Sequence, residues 1–198
     1  MSISNDKIKS NELPCRNLLL GITGSIGAVN MPAYVQYFKH KLAENVFILI
    51  SSSAKNFLNN YSLEIISGNI VFDNLFTSSD KFKIPHIQLP SLADLFLIMP
   101  ATANIISKAA NGIADDLITT SIVASSCPVV FVPSMNSVMW FNKIIQSNVK
   151  RLKDYGYYVI EPSMGIQVSN SNTSFGAMPP MKSIFEILLN ILGNKGSL

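Results

Sequence analysis

The chain alternates between short, continuous apolar runs and longer segments of mixed polarity. Because the apolar runs are continuous rather than alternating, they are typical of parallel strands that are buried on both faces. They predict strands over 18–22, 45–50, 94–99, 128–132 and 157–160. The segments between them predict helices over 31–42, 53–59, 101–111, 137–155 and 181–191. This alternation predicts an α/β fold, with a doubly wound parallel sheet between two layers of helices.

Two stretches depart from the alternation. Residues 1–16 are polar and lack the apolar segment of a secretory signal, so we expect a disordered arm before a single domain of 17–198. Residues 163–180 are also polar, with glycines and two prolines, and their length predicts a functional flap over the site. No apolar run approaches the roughly 18 residues that a membrane span needs.

Composition narrows the class of protein. Hydrophobic residues make up 48% of the 198 residues and charged residues only 14%, against about 25% in an ordinary soluble domain. So little charge predicts that part of the surface is buried between subunits. The net charge of +3 is too weak and dispersed to indicate nucleic acid. Cys15 and Cys127 make no disulfide framework, which favours a reduced, cytoplasmic protein, and we expect no metal site.

A glycine-rich turn follows the first predicted strand, with Gly21, Thr23, Gly24 and Ser25 in the run Gly-Ile-Thr-Gly-Ser-Ile-Gly. It has neither the lysine of a Walker loop nor the glycine spacing of the dinucleotide-binding fingerprint, Gly-x-Gly-x-x-Gly. The second strand leads into Ser51 and two further serines, where a dinucleotide site would have an acidic residue. Hydroxyl groups suit a phosphate monoester, so a mononucleotide such as FMN fits better than NAD. The alternative is a tight turn with no ligand.

Two short segments that are rich in candidate ligand-contact residues follow the third and fourth predicted strands, and we call them the dense motifs. The first contains Pro100, Ala101 and Thr102, and small residues at this position let a flat ligand approach the backbone. The second, Pro-Ser-Met-Asn-Ser-Val-Met-Trp, contains Asn136 and Met139. The amide of Asn136 is suited to hold a carboxylate or a flavin carbonyl, and Met139 offers an apolar surface. The alternatives are that Thr102 and Asn136 only cap helices and that Trp140 packs in the core.

Only two histidines are present. His40 closes a predicted helix beside two lysines, so we expect it to be solvated. His86 lies in a short stretch that we predict to be extended, just before the third clear strand. Its place near the two dense motifs makes it the candidate acid or base.

Together these motifs resemble the homo-oligomeric flavin-containing cysteine decarboxylases. The resemblance rests on the segments 21–26, 100–120 and 133–140 together with His86, and it covers residues 17–193. Within that family the sequence is most similar to the peptidyl-cysteine decarboxylases of lantibiotic maturation, of the epidermin and mersacidin type. The similar runs are 50–57 and 141–164.

The resemblance implies a flavodoxin-like (Rossmann-like) fold and FMN bound between subunits, with homotrimers that assemble into a dodecamer. It implies that His86 and Asn136 are catalytic. It places Thr23, Ser25, Ser51, Ala101 and Thr102 at FMN-contact positions. Gly27 departs from the epidermin-type pattern, which has asparagine there.

The function that the resemblance implies is oxidative decarboxylation of the C-terminal cysteine of a precursor peptide to an enethiol, with lantibiotic modification enzymes as further partners. The alternative is phosphopantothenoylcysteine decarboxylase of coenzyme A biosynthesis, which uses a cysteine in its flap to return electrons. No cysteine follows Cys127 here, and 198 residues leave no room for a ligase domain, so we expect the peptide reaction. Two other classes of protein are further alternatives. A prenyl-flavin synthase is disfavoured because that class lacks the Asn136 motif. A non-catalytic flavin-binding subunit is disfavoured because it would not need both His86 and Asn136.

Overall fold

A computed structural model of the protein describes residues 13–166 and 173–194. Six parallel strands form one sheet in the order β3-β2-β1-β4-β5-β6. They are β1 (Cys15–Ile22), β2 (Ala43–Ile50), β3 (Val71–Phe72), β4 (Leu95–Ala101), β5 (Val129–Pro133) and β6 (Tyr158–Val159). The chain moves outward from β1 to β3 and then crosses to β4 on the other side of β1. In open α/β sheets, ligands bind at the carboxyl ends of the strands beside such a switch point.

Helices cover both faces of the sheet. They are α1 (Met31–Lys41), α2 (Asn60–Ser67), α3 (Pro85–Leu92), α4 (Ala103–Ala110), α5 (Leu117–Val123), α6 (Ser137–Trp140), α7 (Lys143–Asp154) and α8 (Met181–Gly193). The first face carries α1, α2 and α8, which bury Phe38, Leu63 and Leu188 against the strands. The second face carries α3, α4, α5 and α7, with Leu89 and Leu152 among its buried residues. The predicted three-layer, flavodoxin-like fold is confirmed.

All five predicted strands are present. Four are largely buried because helices cover both sides of the sheet, whereas the short edge strand β6 leaves Tyr158 exposed. The sixth strand, β3, was not predicted. It pairs only Val71 and Phe72 with Ile48 and Leu49 at the edge of the sheet. The apolar run at 70–72 is too short to give a period that a sequence pattern could reveal.

Three predicted helices have the wrong limits. Residues 53–59 form only a 3-10 turn at Ala54–Asn56, because Asn59 caps the helix that follows and accepts a hydrogen bond from the Tyr61 amide at 2.8 Å. The predicted helix 137–155 is broken into α6 and α7, where Asn142 caps α7. Ala101 belongs to β4, so the helix predicted from 101 begins after Thr102. Helices α2 and α5 were not predicted.

His86 lies in helix α3, so the prediction of an extended stretch there was wrong. Pro85 occupies the first turn of α3, a position where proline fits a helix because the missing amide hydrogen has no partner there. Two prolines in eight residues, Pro85 and Pro90, masked the helical signal in the sequence.

Strand β1 begins within the predicted N-terminal arm. Cys15 and Arg16 belong to β1, and Cys15 is buried beside Ala43 of β2. Residues 1–12 of the predicted arm lie outside the described residues.

The predicted flap contains an antiparallel hairpin, which we call the flap hairpin. Its strands are β7 (Ser163–Ile166) and β8 (Thr173–Ala177). The part of the flap at 167–172 lies outside the described residues. Within the described ranges, no helix is both long and apolar enough to cross a membrane.

Candidate functional site

Four loops meet at the carboxyl ends of β1, β2, β4 and β5. Each follows a buried parallel strand, and together they bring residues 23–25, 51–53, 100–102 and 134–136 to one edge of the sheet. They include the glycine-rich turn, the serines after β2 and both dense motifs. The structure therefore places these segments at one edge of the sheet, and the ligand contacts of their residues stay predictions.

Thr23 joins two of these loops. Its buried hydroxyl donates to the Pro100 carbonyl at 2.6 Å and accepts from the Thr102 amide at 3.1 Å. The hydroxyl proton is therefore already used within the protein, so Thr23 positions the loop after β4. A phosphate contact through this hydroxyl would require the bond to Pro100 to break.

Thr102 and Asn136 both cap helices, as the alternative interpretation predicted. The Thr102 hydroxyl accepts from the Ile105 amide at 3.3 Å at the start of α4. The Asn136 Oδ1 atom accepts from the Val138 amide at 2.8 Å at the start of α6. Capping fixes the amide of Asn136, and its Nδ2 atom makes no hydrogen bond within the described ranges. Two N–H donors of Asn136 are therefore available to a ligand.

Ser25 and Ser134 are linked across the edge of the sheet. Their hydroxyl oxygens lie 2.8 Å apart, which connects the loop after β1 to the loop after β5. Gly27 packs beside this pair, and a Cβ atom there would lie 2.8 Å from the Met178 methyl group. Met178 follows the flap hairpin, and its methyl group is the flexible end of a side chain, so this close approach does not by itself require glycine at position 27.

Ser51 belongs to a second hydroxyl cluster. Its hydroxyl lies 3.2 Å from that of Ser53 and accepts from the Ala54 amide at 3.3 Å. A Cβ atom on Gly24 would lie 2.4 Å from the Ser53 hydroxyl, so the loops after β1 and β2 touch. Lys55 and Asp73 form an ion pair beside them, and the hydrogen bond from Lys55 lowers the pKa of Asp73.

The flap hairpin is fastened to the loop after β5. The Met135 amide donates to the Gly176 carbonyl at 3.0 Å. Gly176 has a φ of +131°, and a Cβ atom there would lie 2.2 Å from the Met135 carbonyl oxygen, so only glycine fits. Phe175 also packs against Phe141, with ring centroids 5.6 Å apart. The predicted flap therefore lies directly beside Asn136.

A cavity of about 560 Å³ lies between this hairpin, the loop after β5 and the start of α1. Ser25, Ser134, Asn136, Ser174 and Tyr34 are among the polar residues in its wall. Burial raises the pKa of Tyr34, so its hydroxyl stays protonated at neutral pH. The cavity is large enough for a small-molecule ligand.

His86 is not among the residues that line this cavity. It lies in the first turn of α3, on the second face of the sheet, whereas the cavity opens beside α1 of the first face. Its Nδ1 atom is buried and has no hydrogen-bond partner within the described ranges. A buried polar atom usually has a hydrogen-bond partner, so the partner of this Nδ1 atom lies beyond the described protein atoms. Within one chain, His86 therefore does not share this cavity with Asn136.

The remaining predicted residues differ in how deeply they are buried and in whether they line the cavity. Gly21 is tightly packed, since a Cβ atom there would lie 2.9 Å from the Ile98 side chain. Ala101 is buried at the end of β4, after the cis peptide bond that precedes Pro100. Met139 is 47% exposed and does not line the cavity, while Trp140 is buried as predicted. No group of residues suited to a metal ion is found in the described part of the chain.

Sequence reasoning missed four polar residues of the site: Ser53, Ser134, Tyr34 and Ser174. Ser53 and Ser134 adjoin predicted residues and share their loops, so their positions could have been included. Tyr34 and Ser174 lie in a helix and in the flap, and only the folded chain places them in the cavity wall.

Comparison with known proteins identifies the family. The model of the family called Flavoprotein matches residues 6–193. The chain belongs to the flavoprotein family. A probable phosphopantothenoylcysteine decarboxylase of Streptococcus mutans is 34% identical over 173 residues, which cover 86% of this chain and 96% of that protein. The coenzyme A biosynthesis bifunctional protein CoaBC of Borreliella burgdorferi is 37% identical over 180 residues, which cover 91% of this chain. The chain spans only 45% of that bifunctional protein.

Solved structures of cysteine decarboxylases share the fold. The peptidyl-cysteine decarboxylase EpiD is 32% identical, with a TM-score of 0.77 over 88% of this chain and 98% of its own. The FMN-dependent cysteine decarboxylase SpaF is 28% identical, with a TM-score of 0.75 over 90% of this chain and 97% of its own. A third structure is a PPC decarboxylase with serine in place of one cysteine, complexed with pantothenoylaminoethenethiol. It is 25% identical, with a TM-score of 0.76 over 87% of this chain and 96% of its own.

These comparisons correct one argument from the sequence. The length of the sequence does not count against coenzyme A biosynthesis, because the probable phosphopantothenoylcysteine decarboxylase of S. mutans matches the chain over 96% of its own length. Similarity to cysteine decarboxylases is established, but the restriction to lantibiotic peptides is not.

Proposed function

We propose that this flavoprotein is an FMN-dependent decarboxylase that acts on the carboxylate of a cysteine derivative. The observation that carries the proposal is the amide of Asn136: its oxygen is held by the cap of α6, and its two N–H groups are left for a ligand beside the cavity. A fixed amide donor at the carboxyl edge of a parallel sheet is suited to bind a carboxylate.

The residues present fit FMN. The hydroxyl groups of Ser25, Ser51 and Ser53 lie on adjacent loops at the switch point of the sheet, and these loops carry no acidic side chain. They would hold the phosphate, and the loop after β4 would hold the flat ring system. The related decarboxylase SpaF is described as FMN-dependent. When bound, the flavin supplies a two-electron acceptor for the Cβ and sulfur atoms of the cysteine.

The protein's own residues then have three tasks. Asn136 holds the substrate carboxylate, which fixes the bond that breaks when carbon dioxide leaves. His86 accepts the thiol proton as the cysteine becomes a thioaldehyde. The thioaldehyde lies β to the carboxylate, so loss of carbon dioxide gives an enethiolate. The flap hairpin, fastened through Gly176 beside Asn136, shields this step from water.

Phosphopantothenoylcysteine is the first candidate substrate. Relatives named as coenzyme A biosynthesis bifunctional proteins or as a probable phosphopantothenoylcysteine decarboxylase are 31–37% identical to this chain, and the latter is matched over 96% of its length. On this proposal the protein acts in the cytoplasm, and neither of its cysteines forms a disulfide.

A precursor peptide that ends in cysteine is the second candidate, and one observation favours it. The chain has no cysteine after Cys127, so the flap lacks a thiol that could return electrons to the product. The solved serine-for-cysteine relative holds an enethiol. We therefore expect this protein to stop at the enethiol with either substrate, which is the outcome that peptide maturation by lantibiotic-type modification enzymes needs.

Mass spectrometry of the products tests both parts of the proposal. Phosphopantothenoylcysteine and a peptide with a C-terminal cysteine should be incubated separately with the aerobic protein. Loss of carbon dioxide and two hydrogens, about 46 Da, is expected from whichever substrate is accepted. A peptide with an amidated C-terminus is the control, since it has no carboxylate for Asn136 to hold. Loss of about 44 Da would contradict the expected stop at the enethiol, and no mass change with either substrate would contradict the function.

We also propose that the site is shared between copies of this chain, in homotrimers that assemble into a dodecamer. His86 and the cavity lie on different faces of the sheet. Apolar side chains are exposed beside both of them: Ile84 and Ile87 near His86, and Val138, Phe141 and Ile144 near Asn136. Such exposed groups, in a chain with 14% charged residues, favour contact with further copies.

Subunit mixing tests this arrangement. His86→Asn and Asn136→Asp chains, each inactive alone, should be co-expressed in equal amounts, and the assembly should be sized by light scattering. If each site takes His86 from one chain and Asn136 from another, about a quarter of the sites regain both residues, and a similar share of the activity returns. Mixed assemblies with no activity would show that the site does not combine these two residues from different chains.

A further inference from the structure

Ser174 lies in the wall of the cavity and has no role in the function proposed above. It belongs to β8 of the flap hairpin, opposite Gly165 of β7. Its Oγ atom is buried and has no hydrogen-bond partner within the described ranges. A buried hydroxyl is usually paired, and Ser174 lines the cavity, so its hydroxyl is available to a molecule that enters there.

The surroundings of Ser174 carry no charge. The described residues that line the cavity include no aspartate, glutamate, lysine, arginine or histidine. Between Glu161 and Lys182 the sequence contains no charged residue at all, so the whole flap is neutral. The one ionisable side chain in the wall is Tyr34, which burial keeps in its neutral form. A neutral wall with hydroxyl and amide groups suits an uncharged polar group of the ligand.

We propose that Ser174 is a specificity-determining residue whose hydroxyl binds the amide group on the nitrogen of the reacting cysteine. This inference rests on the proposed function. A peptide and a pantothenoyl chain share that amide, although they differ beyond it. An amide offers both a donor and an acceptor, and either one satisfies a serine hydroxyl.

The uncharged cavity wall also disfavours binding of a ligand that has a charged group next to the reacting carbon. Free cysteine carries an ammonium group in place of the amide, and the cavity wall has no anion to pair with it. Burial of an unpaired charge is costly, so we expect free cysteine to bind at least about 100-fold more weakly than an N-acylated cysteine.

Binding of unreactive analogues tests the role of Ser174. The probes are pantothenoyl-serine and a neutral pentapeptide that ends in serine, since both keep the amide and lack the thiol. Titration calorimetry with the flavin-loaded protein identifies the tighter probe. Ser174→Ala is expected to weaken its binding about 3- to 10-fold, which corresponds to one lost hydrogen bond. For the cysteine form of that probe, KM should rise by the same factor while kcat stays within about twofold.

A matched pair of variants separates hydrogen bonding from shape. Ser174→Asn keeps polar atoms in the wall and should bind the probe within about threefold of the wild type. Ser174→Asp has the same size but adds a negative charge near the probe carboxylate, and should weaken binding at least about 100-fold. Circular dichroism and flavin content check that each variant is folded.

The possible failures are distinguishable. If cysteine substrates are decarboxylated but Ser174→Ala leaves Kd and KM unchanged, the role of Ser174 is wrong and the proposed function stands. If free cysteine is turned over as well as an N-acylated cysteine, the proposed selection for an amide is wrong. If neither probe binds and no cysteine substrate reacts, both the function and the role of Ser174 are overturned.

Discussion

Replacement of Asn136 by aspartate is expected to lower kcat/KM at least about 100-fold while leaving the fold intact. A carboxylate oxygen can still accept from the Val138 amide, so the cap of α6 is kept. The two N–H donors of Asn136 are lost, however, and a negative charge then faces the substrate carboxylate. Loss of one well-placed donor costs about 100- to 1,000-fold in comparable sites. Steady-state kinetics with the accepted substrate measures the effect.

Asn142 provides the matched control for this variant. It caps α7 in the same way, with its side-chain oxygen 2.9 Å from the Ile144 amide, but it is exposed and does not line the cavity. Asn142→Asp should therefore leave kcat/KM within about twofold. Equal losses in both variants would mean that helix capping, rather than substrate binding, explains the effect at Asn136.

His86→Asn should abolish turnover while FMN and assembly are retained. General acid–base catalysis contributes typically about 100- to 10,000-fold, and asparagine cannot replace imidazole in that role. The Nδ1 atom of His86 makes no hydrogen bond within the described chain, so the substitution removes no internal contact through that atom. Single-turnover kinetics, followed through the flavin absorbance, measures the oxidation step without product release.

The only other histidine, His40, is the control for this prediction. It is exposed in the last turn of α1, on the face of the sheet opposite to α3. His40→Asn should leave the rate unchanged. A His86→Asn protein that reacts at the wild-type rate would remove His86 from the mechanism, and one that loses its flavin would assign the residue to cofactor binding instead.

Much of the fold could be predicted from the sequence, because the strands are continuous apolar runs that helices bury on both sides. The elements that were missed or displaced depend on contacts that a sequence does not show. β3 has only two residues and exists through its pairing with Ile48 and Leu49. In α3, two prolines hide a helix whose Leu89 packs against the second face of the sheet. Asparagine caps at Asn59 and Asn142 moved the helix starts.

The candidate site was predictable to the level of its loops. Parallel strands all end at one edge, so the loops that carry Thr23, Ser51, Thr102 and Asn136 had to meet there. The hydrogen bonds of these residues were not predictable, and Thr23 proves to link two loops through its hydroxyl. The place of His86 on the other face of the sheet follows from α3, the helix that the sequence concealed.

Anaerobic reaction of the purified protein with its cysteine substrate tests the central claim most directly. The cofactor released from the protein should first be identified by chromatography, and FMN is expected. The flavin absorbance and the released carbon dioxide are then followed together. One flavin should be reduced for each carbon dioxide lost, and it should stay reduced until oxygen is admitted, because the chain has no cysteine after Cys127 that could return the electrons. A protein that binds no flavin, or that releases carbon dioxide while its flavin stays oxidised throughout, would contradict the account.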